Sequence, residues 1–250
     1  MSKTFAEHHT QRILSITYTL MKEQINEPIA ILWIIISPSL LFYFLCFSKK
    51  SESLVNHNYI DSASWFYSYM ASSIALFGFS FYLIGRRESG FIRSFIFKKT
   101  SISIYLASHI ISYSTISLFY ATIFYLTSRP TFGAYVFEEY ADILLRFYAS
   151  YTFYSSLGLL LALAPLRFST ANTLFSAVSF LMISCGYLGA SSPESIPAKL
   201  NQINPLYFAQ SIMTGALDII TALTISLTSL LISCLIFYNN FRINPVWSRY

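Results

Sequence analysis

Apolar residues gather in six long runs, at positions 29–47, 65–84, 102–126, 147–164, 171–188 and 219–238, with polar and charged residues between them. Each run is about as long as a helix must be to cross a hydrocarbon core of roughly 30 Å. A backbone in lipid has no water to bond, so such runs must satisfy their hydrogen bonds internally, as helices. The pattern predicts an all-α integral membrane protein with six transmembrane helices over 29–238, preceded by residues 1–28 and followed by a tail, 239–250. No internal repeat and no separate soluble domain interrupts this single membrane region.

The segments between the runs carry their own patterns. Over 11–27, Leu14, Tyr18, Met21 and Ile25 recur at helical spacing, and Arg12, Ser15, Thr19, Lys22 and Asn26 take the opposite face. That predicts an amphipathic helix in the membrane interface plane, with packing under the bundle as the plainer alternative. Pro28 disfavours helical geometry at Glu27 and turns the chain into the bilayer. Pro38, in the middle of the first run, removes one helix hydrogen bond and predicts a kink, with neighbouring serine hydroxyls available to freed carbonyls.

After the second run comes Gly85-Arg86-Arg87-Glu88-Ser89-Gly90-Phe91-Ile92-Arg93. Here Gly85 is expected to end the helix, Gly90 to permit a tight turn, and residues 88–95 to form a short helix. Phe91, Ile92, Phe95, Ile96 and Phe97 put apolar side chains on a cationic segment. They must bury in the interface, in the bundle or in a partner protein. Before the last run, residues 189–218 hold Asn204-Pro205-Leu206-Tyr207-Phe208. Asn followed by Pro is an N-cap with a first-turn proline, so a helix is expected from 205 to about 217, too apolar for free solution. A pair of re-entrant or interfacial helices fits this length.

Composition sharpens the class. The chain is 55% hydrophobic and only 11% charged, with a mean hydropathy of +0.55. Soluble domains carry about 25% charged residues. A net charge of +5 invites a nucleic-acid partner, but the cations lie between the runs and form no aromatic-interleaved stripe. Eleven Lys and Arg fall on one side of the predicted topology and five on the other. The positive-inside rule therefore predicts cytoplasmic N and C termini. No cleavable signal peptide is expected, because the first apolar run begins late and is long enough to span.

Candidate chemistry is sparse. There is no Gly-x-x-x-x-Gly-Lys-[Ser/Thr] phosphate loop, no Gly-x-Ser-x-Gly elbow and no His-Glu-x-x-His pair. Cys46, Cys185 and Cys234 lie in or at the end of apolar runs without metal-ligand spacing, which reads as packed thiols. Glu138, Glu139 and Asp142 read as a solvated helix start, with Asp142 and Arg146 spaced to pair at i, i+4. His109 lies well inside a span; a lone histidine reads as a packed ring or a hydrogen bond to a nearby hydroxyl. A membrane-embedded transferase would need a constellation of His, Asp, Glu or Ser at one face. A secondary transporter would need midplane ionisable groups or repeated broken helices. Neither is apparent. The many aromatics, including Phe42, Tyr43, Trp65, Tyr148 and Tyr151, suit interfacial belts.

Taken in order, these features resemble the membrane subunit of an ABC transporter of the ABC-2 (type V exporter) class. Four elements carry the resemblance. An amphipathic helix leads through Glu27-Pro28 into a first span with Leu32-Trp33 and Ser37-Pro38. The second span ends in Arg87-Glu88-Ser89-Gly90-Phe91-Ile92, similar to the family's Arg/Lys-Glu-x-Gly-x-hydrophobic stretch. A span start follows at 101–106, and Ile203-Asn204-Pro205-Leu206-Tyr207-Phe208 precedes the last span.

The resemblance implies a coupling helix over 86–97, contacting a separate ABC ATPase subunit through Arg86, Arg87, Glu88, Gly90, Phe91, Ile92, Arg93 and Phe95. Glu88 would be its charged contact and the 11–27 helix a second one. It implies an outer re-entrant region built on Asn204, Pro205, Tyr207 and Phe208. It further implies two permease copies enclosing a path for cargo, with ATP and Mg bound by the partner and no cofactor or catalytic site on this chain. The Glu88-x-Gly90 pattern is closer to the drug, peptide and lipid branch than to the polysaccharide-exporting branch.

Overall fold

A computed structural model describes residues 2–28, 32–48, 58–95, 99–191 and 196–246, and every element among them is helical. The helices are α1 (Ser2–Ile25), α2 (Ser37–Ser48), α3 (Tyr59–Ser73), α4 (Phe81–Glu88), α5 (Phe91–Phe95) and α6 (Lys99–Ser128). They continue with α7 (Phe137–Leu163), α8 (Phe168–Ser191), α9 (Ile196–Asn201), α10 (Pro205–Met213) and α11 (Ile219–Asn240). A π-helical stretch, Leu32–Ile36, leads into α2, and another, Ile74–Ser80, joins α3 to α4 in one continuous rod.

Among the described residues, four helices are long and apolar enough to cross a membrane: Tyr59–Glu88, Thr100–Thr131, Phe168–Gly186 and Ile219–Asn240. The expected count was six. Among described residues the first run falls in Leu32–Ser48, where the apolar helix Ile34–Phe44 is short. The fourth run lies in α7, which at 27 residues is about 40 Å long. Its tyrosines and serines (Tyr148, Tyr151, Tyr154, Ser150, Ser155, Ser156) keep it out of the apolar set, and its buried residues place it within the bundle. It packs most extensively along α11, and also against α3, the second π stretch and α10.

Just ahead of Pro38, where a kink is expected, the first run carries a π stretch. Leu32–Ile36 widens just ahead of Pro38, and Ser39 donates to the Ile35 carbonyl at 2.7 Å. The second π stretch has no proline. Its widened turn offers carbonyls sideways: His109 Nε2 meets the Phe79 carbonyl at 2.8 Å. A carbonyl only accepts, so Nε2 carries the proton. Ser80 Oγ donates to the Gly158 carbonyl at 2.6 Å. Glycine fits closely there, since a Cβ at position 158 would lie 3.0 Å from Ser80 Cβ and 3.2 Å from the Ala75 carbonyl, so a neighbour would have to give. Small residues let these two long helices approach closely.

Two ends of the bundle follow from these contacts. At one end lie the α4–α5 turn, the α7–α8 corner and the C-terminal tail, with Arg86, Arg87, Arg93 and Arg167. At the other lie the start of α3, the α6–α7 connection and the α10–α11 turn, tied by Tyr59–Ser128 (2.6 Å) and by Arg146 Nη1 to the Ile212 carbonyl (3.0 Å). Along α11, Ile220, Leu227, Leu231 and Leu235 face outward and uncovered, as a helix against lipid or another chain requires.

Candidate functional site

The segment singled out by its sequence sits at the arginine-rich end, with a different local geometry. Gly85 does not end the helix: α4 runs on to Glu88, and a Cβ at Gly85 would meet the Phe168 ring at 3.2 Å. The reversal comes at Gly90, whose φ of +75° is left-handed and suits glycine. The short helix that follows is Phe91–Phe95, not 88–95. Phe91 is half-exposed, Ile92 is fully buried and Arg93 is exposed. Ile96 and Phe97, and the side chain of Phe95, lie outside the described residues.

Three consecutive residues at the end of α4 each hold a different element. Arg86 bonds Glu23 of α1, to which Tyr82 also donates, and its guanidinium lies 4.8 Å from the Tyr82 ring and 4.5 Å from the Phe91 ring. Arg87 is 1% exposed and turns to the α7–α8 corner. Its Nη1 donates to the carbonyls of Ala162 (2.8 Å) and Ala164 (3.2 Å), and its Nη2 to that of Leu166 (2.8 Å). These carbonyls belong to the last turn of α7 and the corner beyond it, where a helix leaves acceptors without intrahelical partners and a partial negative charge. Arg87 Nε donates to Glu88 Oε1 at 3.0 Å. Glu88, 8% exposed, accepts with both oxygens from the Val246 N–H (3.1 and 3.3 Å), bringing the C-terminal tail over the turn.

The charge that looked most available for a partner is thus held within the chain. Positive-inside bias accounts for arginines here but does not distinguish Arg86, which is part-exposed, from Arg87, which caps a helix from inside. The buried pair had one sequence signal: adjacent opposite charges straight after an apolar run, where a span end still lies within the bundle.

Helix α1 extends further than the 11–27 segment at its start and stops at Ile25, ahead of Glu27-Pro28. It shows three faces about a third of a turn apart rather than two. Leu14, Tyr18 and Ile25 face outward, with Met21 partly buried; Arg12, Ser15, Thr19, Lys22 and Asn26 are also exposed. The third face, Ile13, Ile16, Thr17, Leu20 and Gln24, packs on α6. There Ser108 Oγ donates to the Ile13 carbonyl (3.1 Å) and Thr17 Oγ1 to the Ser108 carbonyl (3.4 Å). The sequence reading missed this face because two of its members are polar.

At the opposite end the Asn-Pro signal behaves as expected at its start. Asn204 Oδ1 accepts from the Leu206 N–H (3.0 Å) with Pro205 in the first turn. Its Nδ2 donates to the Met182 carbonyl in α8 (2.8 Å), so the cap also fastens α10 to a long helix. The helix ends at Met213 rather than near 217, because Gly215 turns left-handed (φ +79°) and Asp218 begins α11, accepting from Ile220 and Thr221 N–H. Phe208 packs 4.7 Å from the Phe153 ring, while Tyr207 points outward. Asp142 pairs with Arg146 at 2.7 Å, as its spacing predicts. Glu139 is not a free solvated carboxylate: Arg129 holds it at 2.6 Å.

The chain is similar to Protein McbE of Escherichia coli. The two are 28% identical over 241 residues, which covers 94% of this chain and 98% of McbE. The similarity to McbE therefore spans both ends of the bundle and is not confined to one motif. No family model matches the chain, and no solved structure matches it.

His109 is wholly buried, with its ring stacked 4.6 Å from Phe79, and bonds a backbone carbonyl rather than a hydroxyl. No cluster of three or more His, Cys, Asp or Glu among the described residues is placed to hold a metal. Cys185 and Cys234 are free thiols, half-buried in α8 and α11; the side chain of Cys46 lies outside the described residues.

Proposed function

We propose that this chain is the membrane-spanning permease subunit of an ATP-driven exporter of the ABC-2 class, working as a dimer with a separate ATPase subunit. One observation carries the reading. Arg86, Arg87 and Glu88 tie the turn before α5 to α1, to the α7–α8 corner and to the tail, and α5 then presents Phe91 and Arg93 outward. A push on α5 reaches three elements through short, partly buried polar contacts. That is the mechanical property a coupling helix needs to turn closure of two ATPase subunits into changed access along the bundle. The permease supplies no bond chemistry; ATP and Mg are bound by the partner.

On this reading the arginine-rich end is cytoplasmic and the chain lies in a bacterial inner membrane. The three-faced α1 supports it: one face on the bundle, one apolar and one polar suit a helix at the membrane surface. The α9–α10 pair forms the outer re-entrant seal, fastened by Asn204. The uncovered apolar face of α11 meets lipid or the second copy, and the cargo is a drug, peptide or lipid-like molecule.

The test is purification from the native membrane in mild detergent, with co-purifying chains identified by mass spectrometry. A stoichiometric partner carrying a phosphate-loop ATPase sequence is expected. Glu88→Ala is expected to leave insertion intact and to reduce cargo-dependent ATP hydrolysis. A chain that purifies alone, under conditions that hold other membrane complexes together, removes the reading.

A further inference from the structure

Between the end of α4 and the start of α8 lies an open groove of about 610 Å³, lined by Gly85, Glu88, Ser89, Arg167, Phe168 and Ser169. Two rods set its depth. Tyr59–Glu88 ends at the groove and Phe168–Gly186 begins at it, and both are long and apolar enough to cross a membrane. A groove between two such ends opens where hydrocarbon gives way to headgroups.

Its walls change character along that depth. Gly85 leaves a bare stretch of backbone against the Phe168 ring, which a Cβ at that position would meet at 3.2 Å. The same ring is about half exposed and lies 4.3 Å from the ring of Phe81, one turn further into the span. These surfaces are apolar. At the rim stand Ser89, Ser169 and Arg167, all exposed, and Arg167 makes no ion pair among the described residues. Glu88 is the one carboxylate in the lining; it is buried, bonded to Arg87 at 3.0 Å and to the Val246 N–H. Among the described residues, the charge left uncompensated at the rim is therefore the Arg167 cation.

An apolar wall inward and a cation outward match the order of groups in a phospholipid whose headgroup is negative. Its phosphate oxygens accept from the guanidinium, and its acyl chain covers the exposed ring. We propose that this groove binds an anionic phospholipid of the surrounding membrane, with the phosphate on Arg167 and an acyl chain along Phe168 and Phe81. A lipid seated there packs the end of α4 against the start of α8 from the membrane side. The site rests on the placement of these two helices in a membrane and not on the exporter reading, so either can fail without the other.

Native mass spectrometry of the full, delipidated chain in detergent, titrated with phosphatidylglycerol or phosphatidylcholine, tests it. The first phosphatidylglycerol should bind at least about fivefold tighter than the first phosphatidylcholine, the scale of one cation acting on an anionic headgroup. Arg167→Gln should remove that preference. Arg242→Gln, the same loss of charge on the exposed tail, should leave it intact. Ser169→Trp, which fills the groove and keeps the cation, should weaken binding of both lipids. All three positions are exposed, so each variant should keep the wild-type melting temperature before lipid is added; if the tryptophan variant does not, the two glutamine variants still decide. Equal affinity for the two lipids overturns the proposal, as does an equal effect of the two glutamine variants, which would mean diffuse surface charge. So does full competition by glycerol 1-phosphate, which would make the groove a site for a soluble phosphate. Unchanged lipid binding by Arg167→Gln, with a weaker hold on a co-purifying ATPase subunit, would make it a protein contact and overturn the proposal as well.

Discussion

Two neighbouring arginines of the same charge do different work because one is inside and the other is not. Arg87 is withdrawn from water, satisfies three carbonyls and neutralises Glu88; Arg86 sits at the edge with Glu23, part-exposed. Removing one partner of a buried pair leaves the other charged without compensation, a loss of about 3–5 kcal/mol. A part-exposed pair contributes about 0–1 kcal/mol. Arg87→Ala should therefore lower the melting temperature of the detergent-solubilised chain far more than Arg86→Ala. Arg87→Lys should fall between them, since an ammonium keeps the charge but loses the planar fork. Equal melting temperatures for the two alanine variants would show that Arg87 is not the internal cap.

Among the elements, the helices are joined by small or capping residues at a few points. Gly158 lets α7 approach the second π stretch, and a Cβ there must displace Ser80 or the Ala75 carbonyl. Gly158→Ala should destabilise by about 1–3 kcal/mol through overpacking, read as a lower melting temperature. Asn204→Ala removes an N-cap and the tether to Met182. It should cost about 1 kcal/mol for the cap and loosen α10 from α8, seen as faster proteolysis within 196–218. The Asn-Pro before α10 predicted the cap and the first turn, while the end of that helix at Met213 depended on Gly215; the π stretch ahead of Pro38 had no sequence signal of its own.

For the whole molecule, crossings beyond the four long apolar helices among the described residues would fall to α7 and the first run. α7 joins the two ends, with Phe137 near the Arg129–Glu139 pair and Ala162 under Arg87. If α7 crosses, single cysteines at Arg93 and Arg167 should react with an impermeant maleimide from one side of sealed vesicles. Cysteines at Thr131 and Thr214, all four positions being exposed, should react from the other. Labelling of Arg167→Cys and Thr131→Cys from the same side would sink the crossing. Inside-out vesicles exposing the arginine-rich set would match the positive-inside expectation.

The apolar runs and their spacing determined by themselves that this chain folds as helices, because a backbone in lipid has no other way to satisfy its hydrogen bonds. The turn at Gly90, the cap at Asn204 and the break before Pro28 were legible for the same local reason: each is decided by the steric and hydrogen-bonding needs of a few adjacent residues. Only the tertiary structure decided that Arg87 faces inward, that Glu88 holds Val246, that Glu23 reaches Arg86 and that α1 packs through Thr17 and Gln24. Those partners lie tens to more than a hundred residues apart. A charged side chain carries no periodic signal of what it will meet; the packing of α7, α11 and the tail around α4 sets whether it is a surface contact or an internal brace.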